Sequence, residues 1–402
     1  MKGLTPAYLV EAVRTPIGKY RGAFSQVRAD DLAATVIRAV CERAPGPASR
    51  IDQVVFGATN QAGEDNRNVA RMAGLLAGLP YEVPAVTVNR LCGSGLEAVT
   101  DAVMRIWTGD AEVVLAGGVE NMTRAPFVMR KSEEAFDRRS PTIFDTTLGW
   151  RFENPRMAER FPLQSMGETA ENVAEKWKIT REEQDAFAVD SQRKAGVAVA
   201  SGAFDREIVK VTIPGKKGAS LVVEKDEGPR PDTTLAALGA LPAVFRKGGS
   251  VTAGNSSPLN DGASAVLVVS EAVLRVEKLT PLARVVAFAT AGVEPNFMGE
   301  GPIPATKRAL GRTDWRMADI DLIELNEAFA AQSIACQRGL EIDPARLNVD
   351  GGAIALGHPI GSSGCRILVT LAHSLARREK PRGLAALCIG VGQGIAMLLE
   401  RA

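Results

Sequence analysis

The chain has only two histidines among its 402 residues, and its 48 Lys+Arg balance 47 Asp+Glu to a formal net charge of +1. So even a balance supplies no global field for gathering nucleic acid or an anionic membrane surface, and neither is expected as a partner. Any anionic ligand must be gripped locally. No run has the length and apolarity of a membrane span, and the start, MKGLTPAYLVEAVRTP, lacks the continuous apolar stretch of a secretory signal. A cytoplasmic location is the expectation. The cysteines, at 41, 92, 336, 365 and 388, are odd in number and widely spaced, with no C-x-x-C pair. This argues against a disulfide framework and against zinc or dithiol redox chemistry. A phosphate-cradling G-x-x-x-x-G-K-[ST] is absent too.

What is present is an ordinary globular composition, 46% apolar and 24% charged, in a chain long enough for two or three domains or for one domain doubled. The sequence repeats itself. RIDQVVFGATNQAG (50–63) lies over DIDLIELNEAFAAQ (319–332), pairing Ile51 with Ile320, and the same offset pairs Gly95 of CGSG with Gly364 of GSSG. Helical patterns follow both glycine turns (LEAVTDAVMRIW, CRILVTLAHSLARR), and apolar strands that run into glycine come next (AEVVLAGGVE, LAALCIGVGQG). The predicted fold is therefore α/β, with two similar halves of sheet and packed helices. The halves are residues 1–120 plus 250–271 and residues 272–402. Between them, 121–249 reads as an inserted loop domain placed to cover a site.

Chemistry-bearing residues fall in the glycine loops. In VNRLCGSGLEAV, Cys92 stands ahead of two glycines at a helix start, where unpaired N–H groups and the dipole favour a thiolate; it is the candidate nucleophile. His358, in GGAIALGHPIGSSG, occupies the corresponding loop of the second half, so two facing halves would bring imidazole to thiol and activate it. The other histidine, His373, sits mid-helix and reads as structural, as do Cys41, Cys336 and Cys365. Cys388 ends LAALC and meets IGVGQG, where a thiol could exchange a proton beside amides that stabilise an oxyanion. Asn326 of NEAFA reads either as a helix cap or as a residue orienting water. Two other classes stay open. GSGLEA (93–98), with Glu120 ending the next strand, fits a dinucleotide fingerprint, which would make the protein an NAD-dependent dehydrogenase. A scaffold without catalysis would explain the duplication but not glycine loops bearing Cys and His.

Over essentially its whole length the chain resembles the thiolase family, and most closely its degradative acyltransferase members. VNRLCGSG resembles the nucleophile loop, NEAFAAQ the asparagine motif, GGAIALGHPIGSSG the histidine loop and CIGVGQG the second-cysteine loop. The resemblance implies layered α-β-α-β-α halves, no permanent cofactor or metal, coenzyme A as co-substrate and a homo-oligomer, dimer or tetramer. It also implies roles: Cys92 takes the acyl group, His358 activates it, and Cys388 is the acid/base. Asn326 holds a water that forms one oxyanion hole with His358, and the N–H groups of Cys92 and Gly390 form the other. Arg230 would lie near the adenine of coenzyme A, Ser257 and Met166 along the pantetheine arm, and Phe245, Met298 and Phe329 in the pocket walls. Ser256, Pro258, Val391 and Ser165 depart from common family residues, which argues against the short-chain biosynthetic subgroup. NQAGEDNRNVARMAGLLAGLP and FDTTLGWRFENPRMA are most similar to members that cleave 3-oxoadipyl-CoA to succinyl-CoA and acetyl-CoA. General acetyl-CoA acetyltransferases and 3-ketoacyl-CoA thiolases of broader chain length are the alternatives. A substrate ending in a carboxylate needs a cation, for which Arg124, Arg130 and Arg151 are the candidates.

Overall fold

The computed structural model describes residues 4–215 and 219–402. Among these residues the strands are β1 (Ala7–Arg14), β2 (Gly18–Lys19), β3 (Gln53–Gly57), β4 (Ala85–Val88), β5 (Val113–Asn121), β6 (Phe127–Met129) and β7 (Ile143–Asp145). They continue with β8 (Val211–Pro214), β9 (Ser220–Val223), β10 (Asn260–Ser270), β11 (Ala283–Gly292), β12 (Leu322–Leu325), β13 (Arg382–Ile389) and β14 (Gln393–Arg401).

The main sheet runs β12-β13-β14-β11-β1-β10-β5-β3-β4, with β2 alongside β10. It is two copies of one pattern. In the first half β3 pairs parallel with β5, β5 antiparallel with β10, and β10 antiparallel with β1. In the second, β12 pairs parallel with β13, β13 antiparallel with β14, and β14 antiparallel with β11. The copies meet at a short seam, where Tyr8 faces Arg284 and Leu9 faces Ala283. Even the irregularities match: β1 shifts register between Leu9 and Glu11, and β11 between Val285 and Ala287.

Alternation along the strands sorts side chains into layers. In β5, Val114 and Ala116 face the centre while Val113 and Leu115 face outward. The central layer holds Leu96, Val99, Val103 and Ile106 of helix Ser94–Thr108 and Ile367, Leu368, Leu371 and Leu375 of helix Ile360–Arg377. Strand residues of both halves close on it, among them Val266, Val268, Leu387, Met397 and Leu399. Outside the first half, Leu32, Val36, Ile37 and Val40 of helix Ala29–Arg43 cover the sheet. Outside the second, Ala305 and Ala309 of helix Pro302–Leu310 and Cys336 of helix Ala330–Gly339 do the same. The α-β-α-β-α layering expected from the resemblance is what the chain adopts.

The two central helices cross at their first turns. A Cβ on Gly95 would stand 2.7 Å from the Cys365 amide nitrogen, and one on Gly364 would stand 2.4 Å from that of Leu96. Only glycine admits backbone that close. One detail departs from the repeat: the second helix starts at Ile360, so GSSG lies inside it rather than in a turn before it. Pro359, with φ fixed at −66°, launches the helix directly, and the Ser363 hydroxyl bonds the Pro359 carbonyl at 2.9 Å.

Residues 121–249 carry the β6/β7 and β8/β9 hairpins and helices Met166–Trp177 and Arg181–Ala200. Both helices open with capping boxes, Ser165 with Glu168 and Thr180 with Glu183, which satisfy N–H groups of the first turn and fix where each helix starts. No helix among the described residues is long and apolar enough to cross a membrane.

Candidate active site

Cys92 is held by a tight turn ahead of its helix. The Arg90 N–H bonds the Ser94 hydroxyl at 2.9 Å, that hydroxyl donates to the Leu91 carbonyl at 2.6 Å, and Leu91 is driven to φ 46°. A branched residue in the left-handed region is strained, and here the strain sits directly before the thiol. The N–H groups of Gly390 and of Cys92 itself lie toward the sulfur and favour its charged form. Burial nevertheless outweighs them and, with a lesser push from Glu120, moves the thiol up to about 11. The preformed thiolate expected from the helix start is thus not the resting form, because desolvation exceeds what the amides supply.

His358 is buried, and its N–H is fixed by Asn260 Oδ1 at 2.9 Å. Its Nδ1 lies 2.6 Å from Ser363 Oγ. Since the one hydroxyl proton of Ser363 is given to Pro359, Nδ1 must donate and Nε2 must carry the lone pair. Nε2 faces the Asn326 amide at 3.5 Å. Burial first, then the nearby Arg366 charge, lowers the imidazole to about 4. A neutral base oriented by a serine is the result.

Beneath it lies a pair that sequence reasoning passed over. Arg366 and Glu324 are 1% and 2% exposed and 3.6 Å apart, yet among the described residues no guanidinium nitrogen of Arg366 has a hydrogen-bond partner. Burial pushes Glu324 up and Arg366 down. The available signal was an arginine in an otherwise apolar helix, CRILVTLAHS.

Cys388, 1% exposed at the end of β13, is pushed well up by burial and, secondarily, by the field of Cys92, which places the two sulfurs in one environment. Met298, Ala328 and Phe329 pack around Cys388 with Met166, and Phe245 sets its ring edge-on to Phe329 at 6.3 Å. A Cβ on Gly390 would touch the Met166 sulfur at 3.4 Å, and the Ser257 N–H bonds the Ala328 carbonyl at 2.9 Å. Met166, Phe245, Ser257, Met298, Phe329, Cys388 and Gly390 therefore form one wall. Arg230 is not on it: it is exposed, its N–H rests on Gln192 Oε1 at 2.7 Å, and nearby Gly228 abuts the backbone of Ala355 and Leu356. It flanks the loop that carries His358.

Three further readings are corrected. Asn326 is no helix cap: the helix begins at Ala330, with Phe329 in the cap position, while the Asn326 N–H bonds Ala386 and its Oδ1 is unpartnered. The dinucleotide fingerprint fails, because Gly95 is spent on the helix crossing. Glu120 is buried and accepts from Thr59 and from the Gly361 N–H, so no ribose can reach it. Arg124 is not free for a ligand; its Nε meets Glu64 at 2.6 Å and NH1 meets the Ser25 carbonyl.

The crossing brings the loops ahead of the two central helices together. Cys92 and His358 each sit just ahead of a helix whose first turn touches the other's, and the Cys388–Gly390 loop closes the remaining side. A buried thiol with backbone amides toward its sulfur and a second thiol nearby suits the making and breaking of thioesters, the chemistry of a cysteine acyltransferase. Residues 7–272 match the family model described as thiolase, N-terminal domain, and residues 279–401 the one described as thiolase, C-terminal domain; the chain belongs to the thiolase family.

It is 54% identical to the 3-oxoadipyl-CoA/3-oxo-5,6-dehydrosuberyl-CoA thiolase of Escherichia coli (strain K12), over 98% of this chain and 99% of that one. It is 52% identical to a beta-ketoadipyl-CoA thiolase of Acinetobacter baylyi, over the same shares. Human mitochondrial 3-ketoacyl-CoA thiolase, solved in complex with CoA, superposes with a TM-score of 0.91 at 40% identity, covering 99% of this chain and 98% of that one.

Proposed function

We propose that this acyltransferase cleaves 3-oxoadipyl-CoA with coenzyme A to succinyl-CoA and acetyl-CoA, through a succinyl group carried on Cys92. His358 Nε2 takes the Cys92 proton as the sulfur attacks the C3 ketone, and the ketone oxygen becomes an oxyanion held by the N–H groups of Cys92 and Gly390. The C2–C3 bond then breaks. Its electron pair leaves as the enolate of acetyl-CoA, steadied by His358 and a water on Asn326, and Cys388 gives the proton that completes acetyl-CoA. Coenzyme A enters along Met166 and Ser257, with Arg230 toward its adenine end. It loses its thiol proton to Cys388 and attacks the thioester, releasing succinyl-CoA and restoring Cys92. Splitting the reaction this way replaces one high barrier with two lower ones. Residues 121–249 act as the lid domain over this centre.

The observation that carries the mechanism is the packing of the Cys92 loop on the Cys388–Gly390 segment, where a Cβ on Gly93 would meet Ile389 at 2.5 Å and one on Gly390 would meet Leu91 at 3.3 Å. The substrate is supported by the relatives, whose names specify 3-oxoadipyl-CoA or beta-ketoadipyl-CoA. Thiolysis rates test it, using 3-oxoadipyl-CoA, acetoacetyl-CoA and 3-oxohexanoyl-CoA, which matches the length without the carboxylate. The expected order puts 3-oxoadipyl-CoA first in kcat/KM, with succinyl-CoA and acetyl-CoA as products. A higher kcat/KM for 3-oxohexanoyl-CoA would overturn the substrate assignment.

A further inference from the structure

The proposed substrate ends in a carboxylate two methylenes beyond the ketone that Cys92 attacks. Drawn into a pocket that excludes water, that charge needs a cation with matching geometry, and a guanidinium fork matches a carboxylate in two parallel bonds.

One short strip of chain is tied at its two ends to residues that lead to the two sides of the reactive centre. At its start, the Thr146 hydroxyl bonds the Pro126 carbonyl at 2.6 Å and receives the Asn60 amide at 2.7 Å, while the Thr147 hydroxyl reaches the Met122 carbonyl. The Met122 sulfur in turn accepts the N–H of Asn260, the residue that fixes His358. At its end, the Trp150 indole N–H bonds the Gln164 carbonyl at 3.0 Å, two residues before Met166, whose sulfur lies beside Gly390. The Asn172 amide bonds both Gln164 Oε1 and the Asn296 carbonyl, next to Met298 of the Cys388 wall. The strip from Thr147 to Trp150 thus spans from the His358 side to the Gly390 side, and Arg151 follows at once.

The candidate arginines are not equivalent. Arg124 is neutralised by Glu64. Arg130, whose side chain is 59% exposed, has Glu133 at 3.6 Å and lies over the Phe152 ring, lining a recess of about 570 Å³ with Met129, Lys131 and Phe144. Arg151 is half-buried, and among the described residues its guanidinium has neither an acidic partner nor a hydrogen-bond acceptor. A half-buried cation without a counter-charge, one residue beyond Trp150 and its anchor on Gln164, is a site prepared for an anion.

We infer that Arg151 receives the distal carboxylate of the acyl chain and is the residue that makes the pocket selective for 3-oxoacyl-CoA substrates ending in a carboxylate. This rests on the reading of 3-oxoadipyl-CoA as substrate. Chains such as acetoacetyl do not reach the guanidinium, so they gain nothing from it and lose nothing without it.

The test compares the full-length protein with Arg151→Ala and Arg151→Lys on 3-oxoadipyl-CoA, its terminal methyl ester and acetoacetyl-CoA. For Arg151→Ala, KM for 3-oxoadipyl-CoA should rise about tenfold or more, while kcat/KM for acetoacetyl-CoA, which also reports correct folding, stays within about twofold. The methyl ester should react alike in wild type and Arg151→Ala. Arg151→Lys should recover part of the loss, since it keeps the charge without the fork. Equal losses on 3-oxoadipyl-CoA and acetoacetyl-CoA would overturn the assignment by giving Arg151 a structural role, and so would no change on either. If the wild type itself gains nothing from the carboxylate over the ester, the substrate reading falls, and the role of Arg151 falls with it.

Discussion

At Cys92 burial outweighs the two N–H groups that face the sulfur, and at His358 burial and the Arg366 field keep the imidazole neutral, so the resting pair is thiol and imidazole. In the proposed mechanism the thiolate then forms only as His358 takes the proton during attack. Alkylation of Cys92 by iodoacetamide in the ligand-free protein should therefore keep accelerating from pH 6 to about pH 10. A plateau near neutrality would show a preformed ion pair instead. Replacing His358 by Asn should lower kcat by about 10²–10⁴, measured as thiolysis of 3-oxoadipyl-CoA. Val391 poses a separate question, since it sits at φ 61° in the β13–β14 turn. A valine there is strained by about 1–2 kcal/mol, of which glycine's greater chain entropy returns part, so Val391→Gly should raise the melting temperature slightly. The candidate reactive residues stood out in the sequence because each lies in a glycine loop where a packing residue has no use. Ser363 and Glu64 were not, because a hydroxyl inside a helix, or a carboxylate 60 positions from Arg124, carries no local sign of its partner.

The element that matters most is the helix crossing, since it brings the loop ahead of one central helix to the loop ahead of the other. Adding a methyl group at Gly95 would force it against the Gly361 carbonyl at 2.9 Å and the Cys365 amide at 2.7 Å, both backbone atoms that cannot swing aside. Gly95→Ala should therefore destabilise by about 1–3 kcal/mol in denaturant unfolding and reduce kcat by displacing Cys92 from His358. Wild-type stability and rate in that variant would mean that the crossing does not position the site. The paired glycines were visible in the repeat, as were the helical and strand patterns that follow them in each half. The early start of the second helix was not, because Pro359 acts on the residues after it and breaks the equivalence that the repeat suggests. The matched bulges in β1 and β11 escaped for another reason: register shifts depend on cross-strand pairing rather than on composition.

For the molecule as a whole, buried titratable groups pull stability in opposite directions with pH. His358, lowered from 6.5 to about 4, contributes stability that is present above 6.5 and lost as pH falls through 4. Glu120, raised from 4.5 to about 7, and Asp261, raised from 3.8 to about 6, contribute stability that is present at acid pH and lost as pH rises through those values. The wild-type curve alone mixes these effects. The difference in unfolding free energy between wild type and His358→Asn isolates the first, and it should fall by about 3 kcal/mol between pH 6.5 and pH 4. A difference constant with pH would mean that the imidazole is not held neutral.

The central claim is that two halves of one chain deliver a thiol and its base to a single reacting carbonyl. It is tested most directly by incubating the protein with 3-oxoadipyl-CoA in the absence of free coenzyme A and mapping the adduct by mass spectrometry. The account predicts a succinyl group on the peptide that contains Cys92, formed together with acetyl-CoA. No adduct, or an adduct on any other residue, would contradict it.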